Sequence, residues 1–258
     1  MNLLDGLIYG VCALVTAVSA AIRLHYTRKR RNQAVYQIAH RARMSAFAAC
    51  FIGSLLAIPT VAEAIDRLMD LNEVSSLASD LAAVIFWACL QVMIVDWTHS
   101  RSHVQAGVAV RIIAVCCVVA AMIWEFHMAD TAHTELSATY ARRSDVWLYL
   151  LTYLGFTAVA GLEIGAFSTG LAIAAWQQRR AAATGLSIAA AGGIFGVAHA
   201  LSRCAYIIAD RTGHAWPLSV ENAVSPALAG LSIICVATGL ALATIGYNIS
   251  PKGAGSAV

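Results

Sequence analysis

The sequence predicts an all-α fold: a polytopic membrane bundle of seven transmembrane helices, N-terminus outside and C-terminus cytoplasmic. Three observations predict it. The 258 residues are 60% hydrophobic and only 12% charged, with a mean hydropathy of +0.71, whereas a soluble domain keeps about a quarter of its residues charged to solvate its surface. Apolar runs long enough to cross a hydrocarbon core of ~30 Å, which takes ~20 residues of helix, recur along the chain with polar breaks between them. The basic residues gather at alternate breaks, as the positive-inside rule requires.

The first span is read over 3–24. Its opening, MNLLDGLIYG, carries Asp5 and no Lys or Arg, where a cleaved signal would begin with a basic segment. The basic cluster Arg23, Arg28, Lys29, Arg30 and Arg31 follows the span instead, which predicts a retained helix that starts outside. The second span is read over 44–67, with Pro59 placed to kink it, the third over 76–97 and the fourth over 108–128. The fifth, 146–176, is long enough to tilt or to project beyond the bilayer. The sixth covers 185–209 and the seventh 222–247, so that 1–250 form one domain followed by a short cytoplasmic tail, 251–258.

In this orientation the cytoplasmic helix ends also hold Arg41, Arg43, Arg101, Arg111, Arg179, Arg180 and Lys252, against Arg67, Arg142, Arg143 and Arg211 outside. Asp96 is the only acid read on the inner face. Trp97 and Trp176 fall at inner helix ends and Trp124, Trp147 and Trp216 near outer ends, where interfacial belts form.

Several function classes are not encoded by pattern. No P-loop, dinucleotide-binding glycine motif or kinase-like segment appears. All seven cysteines sit in apolar runs with no C-x-x-C spacing, so they read as small packing hydrophobes. His127 and His133, with Glu125, Asp130 and Glu135, match no zinc or di-iron spacing, and neither metal nor cofactor is predicted. The loop HYTRKRRNQ suits the anionic headgroups of the bilayer and gives no support to nucleic-acid binding.

Ionisable residues at bilayer depth are costly, which makes them the functional candidates. Gly192, Gly196, His199, Arg203, Tyr206 and Asp210 step by three and four along the sixth span and share one face. Glu163 lies near the middle of the fifth span, with Tyr149, Thr152 and Phe156 roughly on its side and a Gly161-x-x-x-Gly165 packing surface beside it. A short loop makes these two spans antiparallel neighbours, so Glu163 is expected at the depth of His199, with Arg203 one turn further out. The cluster reads either as an ion pair that fixes packing or as a pocket or relay. Glu63, Asp66, Arg67 and Asp70 at the end of the second span, with Asp80, Trp87 and Gln91 on one side of the third, are expected either at an outer mouth or at a solvated helix end.

Two segments, IPTVAEAIDRLMDLNEVSSLASDL and YARRSDVWLYLLTYLGF, resemble the actinobacterial seven-helix integral membrane proteins labelled as transporters. The shared pattern extends over most of the chain as hydropathy with short polar landmarks. Family members tend to read T-G-V-P-N where this chain has MDLNE, and they carry a cytoplasmic C-terminal region, so the sequence reads as their membrane part alone. The resemblance implies the seven-helix plan and assigns no site residue.

Three functions are expected from these features. In the first, a carrier or binding protein takes a small, largely apolar molecule, with Glu163, His199, Arg203, Tyr149, Trp87 and Gln91 lining the site. In the second, a cofactor-independent cyclase similar in plan to small membrane-bound terpenoid cyclases uses Glu63, Asp66 or Glu163 as the acid, with Trp87, Tyr149, Tyr153 and Phe156 facing the carbocation. In the third, a receptor or partner subunit engages a cytoplasmic protein through loop 25–43. All three place the chain in the cell membrane with lipid around it.

Overall fold

The computed structural model describes residues 3–29, 37–69, 73–98, 101–128 and 144–249. Part of the expected partner loop (30–36), the acidic and histidine-bearing stretch 129–143 and the tail 251–258 lie outside the described residues. The described residues form eight helices: α1 (Leu3–Lys29), α2 (Gln37–Leu56), α3 (Pro59–Met69), α4 (Val74–Thr98), α5 (Arg101–Met128), α6 (Ser144–Ala175), α7 (Arg180–Arg211) and α8 (Leu218–Ile249). The last five are long and apolar enough to cross a membrane, and α1 carries a shorter apolar stretch, Gly6–Ile22.

The stretch 44–67 is not one helix. α2 ends at Leu56 and α3 departs at 85° to it. Pro59 has no N–H to continue the ladder, and its ring disfavours helical backbone at the residue before it. The last turn of α2 therefore tightens, with Ile58 N donating to Leu55 O at 3.1 Å, and the ladder restarts where Val61 N and Ala62 N both donate to Ile58 O at 2.9 Å. Pro59 is the first residue of the new helix, the one helical position where its missing N–H costs nothing.

α5 explains what surrounds the bundle. It is the most apolar of the long helices, yet hardly any of it is buried. Ile112, Ile113, Ile123 and Trp124 are all exposed. In water such a face would drive association; in hydrocarbon it is the solvated surface, and the helix satisfies its own backbone. The chain is a multi-pass membrane helical bundle.

Helix contacts run α1–α2–α4–α6–α7–α8 and back from α8 to α1, which closes a ring. α5 lies outside it against α4 and α6, and α3 packs on the ends of α1, α2 and α4. Phe47 and Cys50 of α2, Trp87 and Leu90 of α4, Ile164 of α6, and Val236 and Leu240 of α8 share one core inside the ring. The end of the bundle at which α1, α4, α6 and α8 begin is called the α3 end below.

Small residues bring α6, α7 and α8 to backbone contact. A Cβ on Gly193 would lie 2.7 Å from Gly161 O and 2.9 Å from Gly165 N, so the glycine pair expected to pack closely in α6 does so, against α7. On the other side of α7, Gly185 and Gly239 face each other, and a Cβ on Gly239 would lie 2.5 Å from Ala189 N and 2.6 Å from Gly185 O. Gly192 meets the α8 backbone at Val236 and Ser232, while Gly196 makes room for the Trp87 ring. These contacts set the antiparallel register of the three helices.

Gly193→Leu should therefore destabilise the purified protein by about 1–3 kcal/mol or more, the usual effect of overpacking. Gly170→Leu, on an exposed position with nothing within 4 Å of the added atom, should leave thermal unfolding in detergent near wild type. Equal melting of the two variants would contradict the packing described.

Candidate functional site

Inside the ring, toward the α3 end, four long helices contribute polar side chains to one cluster. Asp80 lies six residues into α4, Tyr149 five into α6 and Ser225 seven into α8, some 8–11 Å below the helix ends at ~1.5 Å of rise per residue. The Tyr149 hydroxyl donates to Asp80 Oδ2 at 2.7 Å. Arg203 Nε donates to Ser225 Oγ at 2.9 Å. His199 Nδ1 lies 3.1 Å from the Ser225 carbonyl and 3.0 Å from its hydroxyl. A carbonyl can only accept, so Nδ1 carries a proton in this contact, and a neutral ring then offers Nε2 as an acceptor.

Arg203 stands within electrostatic reach of Asp80, Tyr153 and His199, and Tyr9 of α1 within reach of Tyr153. Asp80, Tyr153 and Arg203 each keep some accessible surface. Thr157, one helical turn below Tyr153, is 2% exposed and lies within hydrogen-bonding reach of the Tyr153 hydroxyl. Trp87 closes the site on the mid-bundle side, where its ring fills the space over Gly196. Beside the cluster, Glu221 is 1% exposed in the first turn of α8 and accepts from Ser202 Oγ at 3.1 Å and Trp216 Nε1 at 3.3 Å. The open end of a helix favours negative charge there.

The register separates Glu163 from this cluster. Gly161 meets Gly193, and Gly165 meets Ala190. Glu163 is therefore level with Gly193, and His199 lies six residues further along α7, a rise of ~9 Å. The expected approach of Glu163 to His199 and Arg203 is not made. Glu163 Oε2 accepts from Gln91 Nε2 at 2.6 Å, and Oε1 forms an ion pair with Arg111 of α5. Arg111, read from the sequence as a helix-end cation, instead lies ten residues into α5 and ties that outer helix to α4 and α6. Both carboxylate oxygens of Glu163 are thus engaged as acceptors, as in a packing tie.

The other expected acids have structural partners. Asp66 accepts from Ser75 N and Ser75 Oγ, both at 2.9 Å, and so caps the start of α4. Glu63 pairs with Arg67 at 3.1 Å on the exposed face of α3. Asp96 accepts from Ala39 N at 3.0 Å, capping α2 from α4. Arg43, read as a cytoplasmic helix-end residue, is buried between α2, α4 and α8, donates to Thr244 Oγ1 at 2.7 Å and stacks 4.9 Å from the Trp97 ring. Among the described residues no cluster of His, Cys, Asp and Glu has the arrangement of a metal site.

Of the residues singled out from the sequence, His199, Arg203, Tyr149 and Trp87 come together, while Gln91 and Glu163 meet each other one tier away. Ser225, Thr157 and Glu221 were not singled out as site members. Arg203 bonds to Ser225, which lies four residues after Glu221 on one face of α8; that spacing was the available signal. What the cluster offers chemically is a mixture of donors and acceptors, closely spaced and shielded from water, next to an aromatic wall.

No protein-family model, curated protein or solved structure matches this chain.

The lower tier generates a stability prediction. Arg111→Leu leaves the Glu163 carboxylate without its cation and should cost about 2–3 kcal/mol, since breaking one side of a buried pair is expensive. The double variant Arg111→Leu/Glu163→Leu should recover most of that loss, because an apolar replacement of both partners is often close to neutral. Chemical denaturation in mixed micelles measures both; a double variant less stable than the single one would contradict a pure packing tie.

Proposed function

We propose that this chain is a cell-membrane carrier or binding protein for a small, largely apolar molecule, held by a polar group in the site among Asp80, Tyr153, Thr157, His199 and Arg203. The observation that carries this reading is the convergence of an acid, a guanidinium, an imidazole and a phenol from three helices at membrane depth. One ion pair suffices to fix helix packing, and the Arg111–Glu163 tie already supplies one. A second polar group inside the ring is better accounted for by a ligand.

In this reading α1, α2, α4, α5, α6, α7 and α8 are the seven spans, and α3 lies along the membrane surface at its outer side. The excess of Arg and Lys at the opposite end supports that orientation. The resemblance to the actinobacterial seven-helix proteins labelled as transporters agrees with it. The cyclase reading is less favoured, because Glu63, Asp66 and Glu163 are engaged by Arg67, Ser75 and the Gln91–Arg111 pair.

In a cysteine-free background, His214→Cys in the exposed α7–α8 loop should react with an impermeant thiol reagent on intact cells. Gln177→Cys, exposed between α6 and α7, should react only after permeabilisation. The reverse pattern would invert the bundle.

Small molecules compared by mass spectrometry in cells and medium, with and without the gene, test the function. Redistribution of one lipophilic compound between cells and medium is the expected result. Its loss with build-up of a precursor would point to an enzyme, and no change would favour a receptor or partner subunit.

A further inference from the structure

A carrier needs a part that moves, and, resting on that reading of the upper tier, the fastening of α8 to α7 supplies one. We propose that the outer segment of α8, 218–225, is a gate that swings about Pro226, and that Ser202, His199 and Arg203 of α7 latch it shut.

Pro226 is the one proline inside α8. It has no N–H to give to the carbonyl of Asn222, and its ring crowds that carbonyl, so the helical ladder is interrupted at this point. Such interruptions are where long helices bend.

On the two sides of the break, α8 is held to α7 in different ways. Toward the opposite end of the bundle the backbones touch. A Cβ on Gly192 would lie 2.8 Å from Val236 N and 2.9 Å from Ser232 O, and Gly185 faces Gly239. Contacts of this kind are lost only if the helices part. Outside Pro226, side chains take over. Ser202 Oγ donates to Glu221 Oε2 at 3.1 Å, and Arg203 Nε donates to Ser225 Oγ at 2.9 Å. His199 Nδ1 lies 3.1 Å from the Ser225 carbonyl.

Glu221 and Ser225 are one turn apart, both buried, and form the α7-facing side of the segment. Ser219, Val220 and Val224 are exposed. Trp216, in the connection between the helices, donates to the same Glu221 carboxylate at 3.3 Å. Ser225 immediately precedes Pro226, so His199 and Arg203 grip the chain at the break itself. Hydrogen bonds to side chains can be exchanged for bonds to water or to a ligand at small net cost. The outer segment can therefore release while the rest of α8 stays packed. Because His199 and Arg203 also belong to the site, a ligand that takes their bonds frees the gate.

The test uses the full chain in lipid nanodiscs, in a cysteine-free background, with spin-label distances read by pulsed electron resonance. One pair, Val220→Cys and Trp124→Cys, spans the α3 end from α8 to α5; a second, Leu242→Cys and Val110→Cys, spans the opposite end between the same helices. All four positions are exposed. Eight residues of helix reach ~12 Å, so a bend of ~20° at Pro226 displaces the far end by ~4 Å. Glu221→Met/Ser225→Ala, which removes the side-chain acceptors of the latch, should add a second population to the 220–124 distances, displaced by about that amount. Adding Pro226→Ala, which restores the missing N–H, should abolish this population. The 242–110 distances should stay as in wild type throughout. If the double variant does not fold, Ser225→Ala alone, one oxygen atom smaller, is read in the same way. Wild-type 220–124 distances in the latch variants would overturn the gate. A displacement that survives Pro226→Ala, or one shared by both pairs, would overturn the hinge. These distances need no ligand, so their failure is separate from that of the carrier reading, which the redistribution of small molecules decides.

Discussion

Everything polar in this bundle depends on how closely the backbones of α6, α7 and α8 approach. Gly161, Gly165 and Gly193 on one side, and Gly185 and Gly239 on the other, place peptide groups where any side chain would intrude. In a membrane, where burying apolar surface gives helices little reason to associate, such close backbone contact is a main source of attraction between them. It also fixes axial register. A shift of one turn would move His199 and Arg203 away from Ser225 and would carry Glu163 past Gln91 and Arg111.

That register divides the polar groups into two tiers with different physical characters. In the lower tier, Glu163 uses both oxygens on Gln91 and Arg111, and the result fastens the lipid-facing helix α5 to the ring. In the upper tier, Asp80, Arg203 and His199 are each supported by a neighbour, and Asp80, Tyr153 and Arg203 keep partial exposure. Pro59 and the Asp66 cap turn α3 across the same end of the bundle and keep the start of α4, and hence Asp80, in place.

Much of the architecture was legible in the sequence because hydropathy and helix length are local properties. The five long apolar helices overlap the third to seventh expected spans but begin two to seven residues earlier, and the close packing of Gly161 and Gly165 followed from their spacing alone. The break before Pro59 was expected as a kink, but its 85° size depends on where α3 finds a surface to lie on, which is a tertiary matter. The grouping of His199, Arg203, Tyr206 and Asp210 on one face of α7 was visible; their partners were not. Glu163 was assigned to His199 because the connecting loop made α6 and α7 neighbours. The azimuth of Glu163 instead faces α4 and α5, and only the packed glycines reveal the offset in depth. Arg111 and Arg43 looked like helix-end cations because each lies near a basic, polar boundary, whereas their long side chains reach inward to partners on other helices.

The central claim is that the upper tier is a ligand site and not a second packing tie. A crystal structure of the protein grown in a lipidic mesophase from native membranes, with no added ligand, tests it most directly. The account predicts continuous non-protein density among Asp80, Tyr153 and Arg203, bounded by Trp87. The same side chains closed on one another, with no space between them, would contradict it.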